Sequence, residues 1–300
     1  MLKYNGRIIT KNDRWVGDVK VPLPASTARF RFSDPTYDPR TEDRFSNPTW
    51  AAKWSKLQVT DNVWDFTSEG ALGYFACNWN GGLLIPGMWN DRNFNVELLD
   101  TNMYISDPII ADFKYSFTKC NNFIAVHKIS SKPHQMVCTF RETSITTIPM
   151  FDASEVYSLQ GTFEGCRNLE YVPNLYIPSC WNLSWTFSGC TNLRALPNWN
   201  TEHVREFDYY CGNVLSSELN YYIEEIPDYD VSSAQIVRRA FSGLPNVKVG
   251  MYRLYQKLAA LGEQITNHEN TFAGTGTNTP EGLAERALIP ESWGGDLVEE

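Results

Sequence analysis

The sequence predicts an α/β fold in which a short helix and a short strand alternate within a repeated unit. The main observation is a phrase that recurs between about residues 110 and 290, with its clearest copies starting at Phe163 (FEGCRNLEYVP) and Phe187 (FSGCTNLRALP). In front of each copy stand three mostly apolar residues at i, i+3 and i+7, a spacing that places side chains on one side of a helix. After it comes a Leu, Val or Ile followed by Pro, which indicates a short strand that the proline ends.

The apolar triplet occurs seven times, and the steps between its last positions are 23, 23, 24, 24, 30 and 31 along the chain. A unit of about 24 residues with one helix and one strand is typical of leucine-rich repeats, which bury their apolar stripes only by stacking. We therefore expect a leucine-rich-repeat solenoid of about seven repeats of 23–31 residues over residues 110–292. The triplets are Ile110, Phe113, Phe117; Pro133, Met136, Phe140; Val156, Leu159, Phe163; Cys180, Leu183, Phe187; Val204, Phe207, Cys211; Ala234, Val237, Phe241; and Ile265, His268, Phe272.

The regions outside the repeats differ in composition. Residues 1–70 contain an alternating segment, Ala28–Phe32, and two further strand candidates, which predict a small β-rich N-terminal domain. Residues 71–109 are expected to form a transition and N-terminal cap, because terminal repeats are atypical. Residues 293–300 are expected to form a flexible acidic tail.

Composition excludes several classes of function. The chain of 300 residues carries a net charge of −9 and has no Lys/Arg cluster, which argues against binding to nucleic acid or to an anionic membrane. No apolar run approaches the roughly 20 residues that a bilayer requires, so no membrane insertion is expected. The first residues lack the apolar core of a secretory signal, so we expect a chain that stays where it is made or leaves the cell as part of something else.

Reactive-site motifs are missing from the sequence. There is no GxSxG, no HExxH, no Gly-rich loop followed by Lys and no CxxC, so we predict no catalytic residues, no metal and no cofactor. Cys120, Cys166 and Cys190 occupy one slot of the phrase and are predicted to form a row of buried thiols. The sequence leaves open a pair of catalytic carboxylates of the glycosidase kind, because the distance between two such groups can be read only from a structure.

Several polar residues have predicted structural roles. The Asn that recurs two residues after the Cys slot is expected to bond turn backbone. Asp152/Ser154, Asn200/Thr201 and Asp230/Ser232 are expected to be N-caps of short helices. Two longer steps between copies add residues 216–223 and an apolar helix over 251–261, and insertions of this kind often lie on a binding face. For the helix over 251–261, packing alone is expected instead.

The strand residues suggest a binding surface on the concave face. Alternation along the strands places Glu170, Arg194 and Glu224 outward. Aromatic residues beside Asn and Asp suit stacking on sugar rings or protein recognition. For Trp185 and Trp199, burial in the core is an equal alternative. The aromatic candidates for this surface are Tyr176, Trp181, Trp185, Trp199 and Tyr229.

The phrase Phe-x-Gly-Cys-x-Asn-Leu-x-x-Leu-Pro-Asn, clearest at 163–174 and 187–198, resembles the BspA-like leucine-rich repeats. These repeats are found in surface proteins of gut Bacteroidales and in proteins of the bacteriophages that infect them. The resemblance extends from about Ile110 to about Pro290. Segments at 29–39, 62–66, 251–255 and 289–294 are similar to the flanks of such repeats.

The resemblance implies a non-enzymatic phage structural protein, a fibre or decoration on the head or the tail, of the kind that crAss-like phages carry. The N-terminal domain would attach it to other virion proteins, and the repeats would bind a glycan or protein of the host envelope. Virion components are usually symmetric, so a dimer or trimer is expected. The alternatives are a bacterial cell-surface adhesin and a glycan-cleaving fibre.

Overall fold

The computed structural model describes residues 3–4, 7–8, 13–16, 19–22, 27–39, 54–68, 93–102, 111–212 and 219–298. Much of the predicted cap at 71–109 and part of the insertion at 216–223 lie outside these ranges. The strands are β1 (Lys3–Tyr4), β2 (Arg7–Ile8), β3 (Asp13–Val16), β4 (Val19–Pro22), β5 (Thr27–Phe32), β6 (Trp54–Thr60), β7 (Val63–Ser68), β8 (Val96–Asn102), β9 (Ala111–Asp112), β10 (Phe123–Val126) and β11 (Pro133–Gln135). The helices are α1 (Met251–Ala259) and α2 (Pro280–Arg286).

The prediction of an α/β leucine-rich-repeat solenoid is wrong. The described part of the chain is mostly sheet, with only the two short α-helices α1 and α2, and neither helix contains an apolar triplet. Its largest sheet is mixed and has five strands. The seven predicted repeat helices are turns instead.

A left-handed residue at every fourth position prevents the triplets from being helical. In the first copy, the N–H of Ser116 donates to the Phe113 carbonyl and the N–H of Cys120 donates to the Phe117 carbonyl. The third residues of these two turns, Tyr115 and Lys119, have φ of 58° and 61°. A bond from residue i+3 to residue i with a left-handed third residue is a type II β-turn. Two consecutive turns of this kind produce the same i, i+3, i+7 spacing as a helix but break the helical backbone.

Successive copies of the phrase are joined by backbone hydrogen bonds from alternate residues. The N–H of Phe117 donates to Thr139, that of Phe140 donates to Thr162, and that of Phe163 donates to Thr186, at 2.8–3.0 Å. A row of parallel bridges connects the same copies and runs through Gln135, Ser158, Asn182, Glu206, Ile236 and Asn267. We call it the bridge row. The copies therefore lie in register, one against the next.

The core between the copies is a stack of phenylalanine rings with a row of hydroxyl groups beside it. The rings of Phe117, Phe140, Phe163 and Phe187 follow one another at 5.5–5.9 Å and are within 10° of parallel. The buried Oγ1 of Thr186 lies 2.6 Å from the Leu183 carbonyl and 3.1 Å from the Leu159 carbonyl. Each such hydroxyl adds a donor to buried carbonyl groups that also accept a turn N–H; the Leu183 carbonyl, for example, accepts from the N–H of Thr186 at 3.2 Å.

The five-stranded sheet has the order β10-β8-β5-β7-β6 and continues into the repeats. On β5, Phe30 and Phe32 point into the core, and the ring of Phe30 lies 6.3 Å from that of Phe117. Because β10 belongs to the first described copy and pairs in parallel with β8, the sheet and the repeats share one hydrophobic core. Three two-stranded ladders, β1-β2, β3-β4 and β9-β11, complete the described strands.

A second ladder starts at β10. The N–H of Ser144 donates to Phe123, that of Glu170 to Thr146, and that of Arg194 to Glu170. Its rungs are residues 144–148, 168–172, 192–196, 222–226 and 246–250, and we call it the strand-side ladder. The first four segments end at Ile148, Val172, Leu196 and Ile226, where the sequence predicts that strands stop before a proline.

The predicted N-caps close local turns rather than helices. The N–H groups of Ser154 and Ser232 donate to the carboxylates of Asp152 and Asp230, two residues earlier in the chain. The predicted amide role holds at Asn122, which donates to the Phe94 carbonyl at 2.8 Å. Helix α1 packs through Met251, Leu254 and Leu258, as expected. No helix among the described residues is long and apolar enough to span a bilayer.

Replacing Thr186 with valine tests the hydroxyl row. The shape of the side chain is kept, but the Leu183 and Leu159 carbonyls lose one donor and keep only their other hydrogen bonds, so we expect the free energy of unfolding in urea to fall by about 0.5–1.5 kcal/mol. Thr186→Ser keeps the hydroxyl and should keep most of the stability that the valine variant loses. A valine variant as stable as the parent would contradict the role of the hydroxyl.

Candidate functional site

Charged side chains alternate along the strand-side ladder. The Arg194 guanidinium lies 3.2 Å from the Glu170 carboxylate, and the Lys248 ammonium lies 2.7 Å from the Glu224 carboxylate. All four side chains are well exposed. Exposed ion pairs of this kind contribute little to stability. The structure thus places three predicted surface residues, Glu170, Arg194 and Glu224, on one face, where their charges are accessible.

The strand-side ladder is interrupted between its third and fourth rungs. Among the described residues, no backbone hydrogen bond connects rung 192–196 with rung 222–226, whereas the neighbouring rungs are bonded. The interruption coincides with the first long spacing of the phrase, the step from Cys211 to Phe241, which exceeds the regular step from Phe187 to Cys211. The extra residues therefore separate two rungs that the shorter spacing would have paired.

Two buried side chains connect the two separated segments beneath the protein surface. The amide of Asn220 donates to the carbonyls of Cys190 and Leu193, both at 2.8 Å. The hydroxyl of Tyr229 donates to the Pro197 carbonyl at 2.8 Å. Burial raises the pKa of the Tyr229 phenol, so the group remains a donor. These contacts hold the two rungs together without filling the surface between them.

The interruption forms a cleft of about 660 Å³ on the protein surface. On one wall, the Arg194 guanidinium lies 5.1 Å from the centre of the Tyr222 ring, which belongs to the opposite wall. At one end, Asp228 lies 3.0 Å from Arg253 and 2.7 Å from Lys257, both on α1, and the hydrogen bond from Lys257 lowers the pKa of Asp228. The cleft is lined by Arg194, Ala195, Leu196, Asn198, Tyr222, Glu224, Glu225, Pro227, Asp228 and Arg253.

Four aromatic candidates from the sequence do not join this cleft. Trp199 and Tyr229 are 3% and 1% exposed, so their assignment to a binding surface is wrong: the Trp199 indole donates to the Pro173 carbonyl, and Tyr229 braces the cleft. Tyr176 is exposed but does not line the cleft. Trp181 is 40% exposed and lies beside the bridge row, where its carbonyl accepts from Arg205.

Sequence reasoning missed Asp228, and it reached Asn220, Tyr222 and Arg253 only as unnamed members of the two insertions, 216–223 and 251–261. The only signal was the lengthened step between Cys211 and Phe241, which marks where the ladder breaks but not which side chains line the gap. For Arg253, the signal is the apolar pattern of α1, which predicts only the buried face of that helix. The exposed face of α1 carries Arg253 and forms one end of the cleft.

The cysteine row is buried and bonded to the backbone. The Cys166 thiol donates to the Phe140 carbonyl at 2.8 Å, and the Cys190 thiol donates to the Phe163 carbonyl at 3.0 Å. Burial raises the pKa of Cys166 to about 11 and that of Cys180 to about 12. Such thiols act as small packing groups with a weak donor. The described residues contain no cluster of three or more metal-ligating side chains.

The cleft can therefore present both signs of charge and several hydrogen-bonding groups to a polar ligand at the surface. Comparison with protein-family models, with curated proteins and with solved structures finds no match to this chain.

Replacing Cys166 with serine tests the buried thiol through the pH dependence of stability. The folded pKa of about 11 lies above the unfolded value of 9.0, so the thiol's contribution is complete below pH 9 and is lost as the pH rises toward 11. Serine keeps a hydroxyl donor and does not titrate. Relative to the variant, we expect the parent to lose about 1.4 kcal/mol of unfolding free energy per pH unit in this window, measured in urea. If the unfolding free energies of the parent and the variant changed in parallel with pH, a raised pKa of Cys166 would be contradicted.

Proposed function

We propose that this chain is a non-enzymatic binding protein whose strand-side cleft contacts a glycan or protein of a bacterial envelope. One observation carries the proposal: the ladder is broken at a single described position, and the break is braced from below while its walls keep exposed charges. Asn220 and Tyr229 fix the separation of the two sides, so the gap is a preformed surface.

The chemistry of the walls supports recognition of a polar surface. Arg194 and Arg253 offer planar donors, and Glu224, Glu225 and Asp228 offer acceptors, all near one opening. Paired charges of this kind give specificity and orientation more than raw affinity. The pairs Arg194–Glu170 and Lys248–Glu224 are exposed enough to exchange partners with a ligand.

We place this binding protein on a bacteriophage particle, as a decoration or fibre of the head or the tail. The support is the likeness of the Phe-x-Gly-Cys-x-Asn-Leu phrase to repeats in phage proteins. The N-terminal strands would contact other virion proteins, and the chain would assemble as a dimer or trimer. A bacterial cell-surface adhesin is the second candidate, because the same phrase resembles Bacteroidales surface proteins.

Antibody raised against the recombinant chain distinguishes these two locations. We expect it to label purified phage particles, at a position that separates head from tail. Labelling of washed, uninfected bacterial cells alone would contradict the virion assignment and favour the adhesin. Release of reducing ends from envelope polysaccharide by the purified chain would contradict the non-enzymatic assignment.

The variant Arg194→Ala tests the cleft. Loss of the guanidinium removes a charged donor from the cleft wall, together with its contact with the Tyr222 ring, so we expect binding of the labelled recombinant chain to host cells to fall at least tenfold. Unfolding in urea should change little, because Arg194 is exposed. Glu202→Gln, an exposed change outside the cleft, serves as the control. Equal binding by parent and Arg194→Ala would contradict the use of the cleft.

The edge strand β6 tests the attachment role of the N-terminal strands. Leu57 and Val59 on this strand are 67% and 48% exposed and together present an apolar surface. We expect the double variant Leu57→Lys, Val59→Lys to remain folded but to be incorporated into particles at a much lower level. Normal incorporation, measured with the same antibody, would show that this face does not attach the chain.

A further inference from the structure

A trough lies on the turn side of the repeats, apart from the cleft. Its volume is about 680 Å³, and its lining includes Glu142, Glu164, Gly165, Asn168, Trp185 and Gly189. None of these residues lines the cleft. The trough is therefore a separate concave surface that the proposed function has not used.

The trough exists because two successive copies carry glycine where earlier copies carry long side chains. The left-handed third position of the second turn is Lys119 and Glu142 in the first two described copies, and Gly165 and Gly189 in the next two. A Cβ atom at Gly165 would approach the Glu142 Cγ to 3.0 Å. The glycines satisfy the backbone and also leave the space above them empty of side chains.

Trp185 occupies the left-handed position of the first turn and is held rigidly from one side. Its ring stacks on Tyr209 at 4.1 Å with an angle of 15° between the planes. The Arg238 guanidinium lies 5.1 Å from the Tyr209 ring and makes two bonds of 2.9 Å to Asp208. This series of contacts fixes the plane of the indole before any ligand binds.

The opposite side of Trp185 has no aromatic neighbour from the preceding copy. The equivalent residue there is Gly161, which has φ of 60° and no side chain. Gly161 also shows that the fold accepts glycine at this position, which suits a left-handed residue far better than tryptophan. Other copies carry Tyr115, Tyr209 or Arg239 at this position, so the left-handed backbone accepts both glycine and large side chains, and it does not itself require the indole.

Polar groups surround the indole at the trough. The carboxylates of Glu142 and Glu164 lie 3.3 and 3.0 Å from the two sides of the Arg141 guanidinium, which holds them beside the trough. Asn121, Arg167 and Asn168 add amide and guanidinium groups to the lining. Carboxylates and amides bond pairs of neighbouring hydroxyl groups, and a flat ring packs on an apolar face. Since charges of both signs are balanced here, the arrangement favours an uncharged ligand rich in hydroxyl groups.

We propose that this trough binds a neutral glycan, with the Trp185 indole against the apolar face of one sugar ring and the carboxylates and amides bonded to its hydroxyl groups. The inference deepens the proposed function and rests on it, because it names the ligand class and a place where that ligand is held. The protein acts as a binder at this site, and no bond of the glycan is broken.

The test measures binding of the full chain to an immobilised panel of neutral oligosaccharides and neutral envelope polysaccharides, with acidic polysaccharides as a second set. We expect the parent to bind members of the neutral set. Trp185→Ala should lose at least tenfold in affinity, and Trp185→Phe, which keeps an aromatic ring, should lose less. Trp181→Ala is the matched control, because Trp181 is an exposed tryptophan that does not line the trough.

Three results would overturn the trough assignment: no binding to any neutral glycan, binding to acidic polysaccharides only, or equal binding by Trp185→Ala and the parent. The partial effect of Trp185→Phe separates a lost contact from a misfolded chain, and a urea unfolding curve checks each variant. Labelling of particles and Arg194-dependent binding to cells do not use the trough. If those two persist while glycan binding fails, the trough is wrong and the proposed function stands.

Discussion

The hydrogen bonds between alternate peptide groups of successive copies are the constraint on which the rest of this structure depends. In the first four copies, the residues of the two type II turns donate outward to the next copy and inward to close their own turn, so no copy satisfies its backbone alone. The left-handed positions, the ring stack and the hydroxyl row all follow from this register. Phe163, for example, stacks on both neighbours only because its own N–H bonds to Thr186 at 3.0 Å.

Both candidate sites occur where the sequence departs from the regular copy while the register is kept. At the cleft, extra residues separate two rungs, and Asn220 and Tyr229 replace the missing backbone bonds. At the trough, glycines leave out side chains that earlier copies carry, and Trp185 replaces a residue that could have been glycine. A stack of this kind tolerates such local changes because each copy contacts mainly its neighbours. Recognition surfaces can therefore vary without disturbing the ring stack beneath them.

The register of the copies and most of the core could be predicted from the sequence, whereas the backbone conformation could not. The spacing i, i+3, i+7 is shared by a helix and by two consecutive type II turns, and the glycine two residues after the Phe of several copies, such as Gly165 and Gly189, was the overlooked sign of a left-handed position. Alternation placed Arg194 and Glu224 at the surface, where the structure also has them. Alternation could not predict that Trp199 and Tyr229 are buried, because they are held by carbonyls 26 and 32 residues away in the chain.

Residue-resolved hydrogen exchange tests the central claim, which is that a bonded ladder with one braced interruption organises the chain. The amides of Glu170, Arg194 and Lys248 donate across the strand-side ladder at 2.8–3.1 Å, so we expect them to exchange slowly. The backbone N–H groups of Ala195 and Glu224 donate to no backbone carbonyl of the described ranges and should exchange much faster, while the backbone N–H of Asn220, which donates to the Gly243 carbonyl, stays protected. Equal protection of Ala195, Glu224 and Arg194 would show a continuous ladder, and it would contradict both the cleft and the function proposed for it.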